Sequence, residues 1–409
     1  MGSKLRRLSM LFKGNIGLMT LTSGLWNFAG QMVWPFSSLY YLALGATYFD
    51  LGLISALWGA SRIIPIIIGG YLTDLFGRKR LVVLLSFILS FINLSLAFIP
   101  SWEFLLPVMI IDGFVSGLRE PAFGAIIADS TKPNYRALGY ALWNFGPILF
   151  GIFSPYIAGK YIDEVGIISS MRTLFIIVFA FSFVACILRL LFLKETLVHH
   201  DEKVTITPRK MISGFKDLFH QVHQSFLILI LIFALMGLIN GLTGPFGVTY
   251  ATKDVIRLTA SQWGLISISQ TTIKLMLVPI FAYASDRFGR VIFIASSLFL
   301  AGFSGILFVT SSNFELALIS LTLNALSLGI ISINLPALFA DYIPRNLRGR
   351  AIALRGVTAQ LASTLGSIVG GYLYQEISYA SPFITASVIA FLASIVTFLT
   401  IREPKIREE

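Results

Sequence analysis

Apolar residues fill this chain in long continuous stretches, with neither the alternation of a strand nor the 3.6-residue stripe of a surface helix, and polar residues are confined to the breaks between them. Twelve stretches run to about 20 residues or more, enough for a helix to cross a hydrocarbon core of about 30 Å. Their expected bounds are 15–41, 50–72, 81–99, 104–127, 138–160, 170–193, 223–250, 261–283, 291–311, 314–340, 351–374 and 382–401. The one long polar interruption, 194–222, is rich in Lys, Glu, Asp and His. It divides the chain into a six-helix bundle over 1–193, a cytoplasmic linker over 194–222, and a second six-helix bundle with a short tail over 223–409. The expected fold class is therefore all-α, a membrane protein of 12 transmembrane helices in two six-helix bundles. Met1 to Lys13 is basic and lacks a small-residue cleavage site, so no signal peptide is expected.

Composition sharpens this picture. Hydrophobic residues make up 56% of the 409 and charged residues 12%, about half the usual soluble share. The single cysteine, Cys186, excludes a disulfide scaffold, an iron–sulfur cluster and a thiolate zinc site. All four histidines fall between 199 and 223, so no metal and no cofactor is expected.

The net charge of +11 is a matter of topology. Twenty-three of the 31 Lys and Arg lie on the side of both termini and the linker, counting Arg189 with the linker; four lie opposite, at Lys160, Arg172, Lys253 and Arg257. The positive-inside rule puts both termini in the cytoplasm, as in a multi-pass protein of the plasma (inner) membrane, and leaves no basic patch for nucleic acid. The remaining four, Arg62, Arg119, Lys274 and Arg355, fall inside spans.

The halves repeat. A shift of 212 residues places Gly52-Leu53-Ile54-Ser55 on Gly264-Leu265-Ile266-Ser267, Asp74 on Asp286, Phe76-Gly77-Arg78 on Phe288-Gly289-Arg290, and Ala128-Asp129 on Ala340-Asp341. One ungapped offset for Asp, Gly and Arg in loops implies two homologous bundles in parallel orientation.

Between spans 2 and 3 stands Gly70-Tyr-Leu-Thr-Asp74-Leu-Phe-Gly77-Arg78-Lys79, with a weakened copy at Ala282-Tyr-Ala-Ser-Asp286-Arg-Phe-Gly289-Arg290. This resembles the loop signature of the major facilitator superfamily, G-x-x-x-D-x-x-G-R-[RK], and the resemblance extends over essentially the whole chain. It implies a secondary active transporter, two halves related by an axis along the membrane normal, and a substrate site near the midplane. It also implies a conformational switch at Gly70, Asp74, Gly77, Arg78, Asp286, Gly289 and Arg290, in which a helix-ending carboxylate bridges helix ends in one state and releases them in another.

Span 5 carries Gly151-Ile-Phe-Ser154-Pro155-Tyr-Ile-Ala158-Gly159, similar to the end of the antiporter motif of drug/proton exchangers. Gly151, Pro155 and Gly159 would let helix backbones pack closely there. Two departures stand out: Met109 occupies the place of the arginine those exporters carry in span 4, and span 1 has no acid. Interior prolines occur in spans 1, 2, 4, 5, 7, 8 and 10, where kinks suit helices bent around a cavity, and in none of spans 3, 6, 9 or 12.

Arg62 sits near the centre of span 2, where a cation costs at least about 2.5–3.5 kcal/mol, and Lys274 is its repeat partner in span 8. Two readings stay open: an anion clamp, as the resemblance to nitrate and organophosphate porters implies, or a pair with a buried acid that holds helices together. Trp58, one turn before Arg62, could shield it. Span 4 holds Asp112, Arg119 and Glu120, with Asp112 and Arg119 on one face about 10 Å apart. A protonated carboxyl there would leave Arg62 and Lys274 free for an anionic group, and a deprotonated one would compete for them. These three are the proton-coupling candidates. Asn27, Gln31 and Trp34 recur on one face of span 1, and with Gln270 and Asn240 they are the polar substrate-binding candidates beside Arg62 and Lys274.

No catalytic pair or cofactor motif supports an enzyme. The expected function is proton-coupled export, by alternating access, of small organic compounds that are anionic or amphiphilic. Uptake or exchange of an anion or metabolite is the alternative, and a membrane receptor or enzyme the reading from another class. The expected partners are a small-molecule substrate, protons and the lipid bilayer, with the chain acting as a monomer.

Overall fold

Unbroken apolar runs can satisfy their backbone hydrogen bonds in lipid only by coiling. The computed structural model, which describes residues 14–131, 136–197, 224–343 and 347–403, is helical throughout its regular elements, with no strand among the described residues. The helices are α1 (Asn15–Val33), α2 (Ser37–Ala43), α3 (Tyr48–Phe76), α4 (Arg78–Leu96), α5 (Leu105–Ser130), α6 (Arg136–Gly151), α7 (Ser154–Val165), α8 (Ile167–Phe192), α9 (Gln224–Thr243), α10 (Ala260–Phe288), α11 (Arg290–Val309), α12 (Phe314–Asp341), α13 (Arg348–Tyr372) and α14 (Ser381–Thr400).

Among the described residues nine helices are long and apolar enough to cross a membrane. The three expected spans outside that set differ for physical reasons. Span 1 breaks into α1 and α2 at Trp34–Phe36, where Pro35 withholds an N–H, and span 5 breaks after Gly151, with Pro155 opening the first turn of α7. Span 4 is one helix, α5, but carries Asp112, Arg119 and Glu120 within its length. Most of the expected linker, 198–222, lies outside the described residues, as do all four histidines.

The described residues fall into two compact units. Unit 1 holds residues up to 197 together with 257–268, and unit 2 holds 224–256 and 269–403. The first turns of α10 thus belong to unit 1, although the chain-order boundary expected from sequence would put them in the second bundle. Asp163 of α7 explains this: its two carboxylate oxygens accept the N–H groups of Ala260 (2.8 Å) and Ser261 (2.9 Å), capping the start of α10.

Within unit 1, α3 packs on α5, α1 on α6 and α8, and α4 on α5 and α8. Cys186 of α8 is buried there, 3.6 Å from the Ser90 hydroxyl of α4. Within unit 2, α9 packs on α13 and α14, and α11 on α12 and α14. Gly237 and Gly241 of α9 meet the Ala359 and Ser363 carbonyls of α13, while Gly366 and Gly370 of α13 meet the Leu238 and Leu242 carbonyls of α9. Small residues on both partners bring the two backbones together with no room for a β-carbon.

Candidate functional site

The site begins with glycines. On α5, Gly113 lies against Ser61 and the Trp58 carbonyl of α3, and Gly117 so close to Arg62 that a β-carbon would sit 2.8 Å from its carbonyl oxygen. The side chains flanking these contacts are thereby pressed together at the middle of two membrane-crossing helices. Trp58 Nε1 donates to Asp112 Oδ2 at 2.6 Å, and Arg62 Nη2 donates to Glu120 Oε2 at 2.7 Å. The Arg62 guanidinium lies 4.6 Å from the Trp58 ring, linking the two pairs into the sequence Asp112, Trp58, Arg62, Glu120. Glu120 is the open end, its side chain 57% exposed against 23% for Arg62. Of the two readings left open for Arg62, the structure places it with an acid.

Arg119 takes no part in that chain. Its Nη1 donates to Ser86 Oγ of α4 at 3.3 Å, and its guanidinium lies 4.9 Å from the Trp26 ring and 5.1 Å from Phe123. Beside it is Arg189, which corrects its place among the linker residues: it lies inside α8, 1% exposed. Arg189 donates to Thr22 Oγ1 (2.9 Å), Ser86 Oγ (3.2 Å) and Ser23 Oγ (3.2 Å) and lies 4.9 Å from Phe123. Sequence reasoning missed it because it stands four residues from the end of its expected span, next to the linker where loop charge is expected; the hydroxyls at Thr22, Ser23 and Ser86 were its only signal.

A cavity of about 220 Å³ opens beside these arginines, with Asn27 and Trp34 among its lining residues. Gln31 is not part of that lining and packs toward Gly151 of α6, which the Asn27 side chain also meets. In unit 2, Gln270 Nε2 donates to the Leu321 carbonyl at 3.2 Å, and the Asn240 carbonyl accepts from Gly244 at 2.8 Å. Both contacts are local to that unit. Lys274 packs near Gly329 of α12 and forms no ion pair among the described residues.

The two loop motifs resolve into matching ion pairs. Arg78 pairs with Asp129 at the end of α5, and Arg290 with Asp341 at the end of α12 (2.5 Å) and with Asp286 (2.9 Å). In the first copy the bridging acid is thus Asp129. Asp74, expected in that role, is exposed and has no ion pair among the described residues. Gly77 and Gly289 join the helices in single-residue turns at φ of 89° and 100°.

Over each turn sits a second, unexpected carboxylate. Glu195 accepts the Arg78 and Lys79 N–H groups, both at 3.1 Å, and Glu403 accepts that of Val291 at 2.7 Å. Burial works to raise the Glu195 carboxyl, but the N–H groups of Leu197, Thr196, Lys79 and Arg78 outweigh it and hold the group below the usual carboxylate range.

In α7, Gly159 lies against the Ala260 carbonyl of α10, and a β-carbon on Gly264 would come within 2.6 Å of the Pro155 carbonyl oxygen. The small residues of the span 5 motif are therefore at a close backbone contact inside unit 1.

An all-helical membrane architecture, whose two units repeat the same glycine turn, arginine and helix-end aspartate, defines a multi-pass transporter class. The Major Facilitator Superfamily profile matches residues 19–259 and 229–409, and the chain belongs to that family. It is similar to an uncharacterized MFS-type transporter of Methanocaldococcus jannaschii, 26% identical over 369 residues, or 90% of this chain and 93% of that one. It is also similar to the quinolone resistance protein NorA of Staphylococcus aureus, 27% identical over 153 residues, or 37% of this chain and 39% of that one. A POT family transporter solved with 5-aminolevulinic acid shares the fold at a TM-score of 0.75 and 14% identity, covering 94% of this chain and 95% of that one.

Proposed function

We propose that this transporter exchanges protons for small amphiphilic organic compounds, exporting them across the plasma membrane from a cytoplasm that holds both termini. The observation that carries the reading is the Arg62–Glu120 pair. Glu120 is the exposed partner, so a proton or the hydrogen-bond-donating end of a cargo can take the carboxylate from Arg62, but not both at once. Competition of this kind is exchange. Asp112, held by Trp58, is the second carboxylate on the path. A charge pair at about 4 Å is worth about 4 kcal/mol at an effective dielectric near 20, against about 5.5 kcal/mol to turn a 1:99 conformational ratio into 99:1. With Glu120 57% exposed, solvent screening brings the Arg62–Glu120 pair below that figure, so it biases the conformational equilibrium without supplying the whole switch. The partial likeness to NorA supports the export direction.

A second reading rests on Lys274, a cation inside α10 with no ion pair among the described residues. An anion drawn to such an unpaired cation, or to Arg62 once Glu120 is protonated, would bind best at low pH. It would travel with the proton, which is uptake.

The sign of a pH change separates the two. Proteoliposomes loaded with a pH-sensitive dye and given an acid interior receive 4-aminobenzoate outside, with protein-free liposomes as the control for passive entry. Exchange predicts alkalinisation of the interior that is lost in Glu120→Gln. Protein-dependent acidification would overturn export in favour of uptake, and flux unchanged in the Asp112→Asn, Glu120→Gln double variant would remove both carboxylates from coupling.

A further inference from the structure

We infer that the cavity beside Arg119 and Arg189 in unit 1 is a binding site for an oxyanion, a carboxylate, sulfonate or phosphate, carried on an aromatic body. Two guanidinium groups meet there inside the membrane-crossing part of the unit, both donating to the single hydroxyl of Ser86 and both lying against the Phe123 ring. Neither forms an ion pair among the described residues. The acids of the same helix are engaged elsewhere, Asp112 with Trp58 and Glu120 with Arg62. Two like charges taken out of water together are costly, and hydroxyl dipoles and ring faces offset only part of that cost. An anion between the guanidiniums supplies the missing countercharge through charge-assisted, fork-shaped hydrogen bonds.

The rest of the cavity fits the body of such a ligand. Trp26, Trp34, Trp143 and Phe123 give flat apolar walls, and Asn144 and Asn27 add polar contacts. At about 220 Å³ the space suits a one-ring compound, being somewhat below the usual range of drug-sized pockets of about 300 Å³ and up. Arg119 is thereby assigned to holding an anion, not to moving a proton. The assignment names an acidic end for the amphiphiles of the proposed export reading, but it depends on neither the coupling ion nor the direction.

Equilibrium binding without any gradient tests it, so that its failure is separate from a failure of proton exchange. Three of the six tryptophans line the cavity, and intrinsic fluorescence is the readout. The full chain in phosphatidylcholine nanodiscs is titrated with 4-nitrobenzoate, a quencher, and with 4-nitrobenzamide, its neutral counterpart. Saturable quenching by the acid alone is expected, weakened at least about tenfold by Arg119→Gln and by Arg189→Gln, since each removes a charge-assisted contact. Lys160→Gln should stay within about twofold as a control for net charge. Arg189 also ties α8 to α1 and α4, so Arg189→Lys, which keeps the charge, and Arg119→Gln, which removes a single hydrogen bond, decide the matter if Arg189→Gln does not fold. Equal binding of the amide, or unchanged affinity in folded Arg119→Gln, overturns the site. Displacement of the probe by phosphatidylglycerol, together with loss of a bound lipid in Arg119→Gln by native mass spectrometry, keeps the anion chemistry and assigns it to a lipid head group.

Discussion

Trp58 donates its indole N–H to Asp112 at 2.6 Å while the same ring lies under the guanidinium of Arg62. One side chain thus supports both carboxylate pairs. Trp58→Phe keeps an aromatic face beside Arg62 and removes the N–H together with part of the indole, the lost hydrogen bond to a charged group alone costing about 1.5–3 kcal/mol. It should lower gradient-driven transport far more than counterflow exchange, whereas Trp58→Ala also strips the cover from Arg62 and should melt at a lower temperature than Trp58→Phe. Flux ratios in proteoliposomes and thermal melts of the purified protein check both.

Glu195 offers a pH test outside the membrane-crossing helices. Its carboxyl is held low in the folded chain by four backbone N–H groups that prevail over burial, so the charged form stabilises the fold. A depressed folded value means that this stability is fully present above the unfolded value, about 4.3, and is lost as pH falls through the folded one. Glu195→Gln should lower the melting temperature at pH 7 by an amount matching a lost helix cap, about 0.5–2 kcal/mol. The gap to the native protein should close as the buffer is taken from pH 5 toward pH 3. A gap constant over that range would show that the charge of Glu195 is not what caps α4.

The glycines of the loop motif are not equivalent. A β-carbon at Gly70 meets nothing within 4 Å, so Gly70→Ala should leave stability and transport near the native level. Gly77 has φ of 89° and Glu195 Oε2 2.7 Å from where a β-carbon would stand, so Gly77→Ala should destabilise by about 1–2 kcal/mol or more. Gly159→Leu, which must push α7 away from Ala260, should cost about 1–3 kcal/mol as an overpacked contact. Melting curves of the three variants side by side give the order.

The two arginine pairs differ in their surroundings. Asp341 is 17% exposed and Asp129 33%, with the arginines alike at 15% and 16%. Exposed pairs contribute about 0–1 kcal/mol, less as solvent reaches them. A double-mutant cycle on Arg290 and Asp341 should give the larger coupling, and one on Arg78 and Asp129 the smaller. The reverse order in chemical-denaturation cycles would mean that solvent exposure does not govern these pairs.

Much of this architecture was legible because it repeats. The 212-residue offset aligned Arg78 with Arg290 and Asp129 with Asp341, and the same ion pair stands in both units. The structure brings α3 and α5 together at Gly113 and Gly117, but which side chains that contact joins depends on rotation about the helix axes, which an all-round apolar sequence leaves undetermined. For that reason Trp58 read as a shield for Arg62 and not as the donor to Asp112. Arg189 was hidden by its position near the end of a helix, and Glu195 and Glu403 by distance along the chain: each caps a helix that begins more than a hundred residues earlier.

Cys186 has a practical consequence. The chain contains one thiol, and the fold keeps it against Ser90 with no surface exposed. Maleimide reagents require an accessible thiolate, so the native protein should remain unlabelled while folded and react once unfolded. A single cysteine introduced at an exposed position such as Lys160 or Lys253 can therefore carry a spectroscopic probe without first rebuilding the protein as a cysteine-free variant. The same silence makes the appearance of Cys186 labelling a direct count of molecules in which α4 and α8 have come apart.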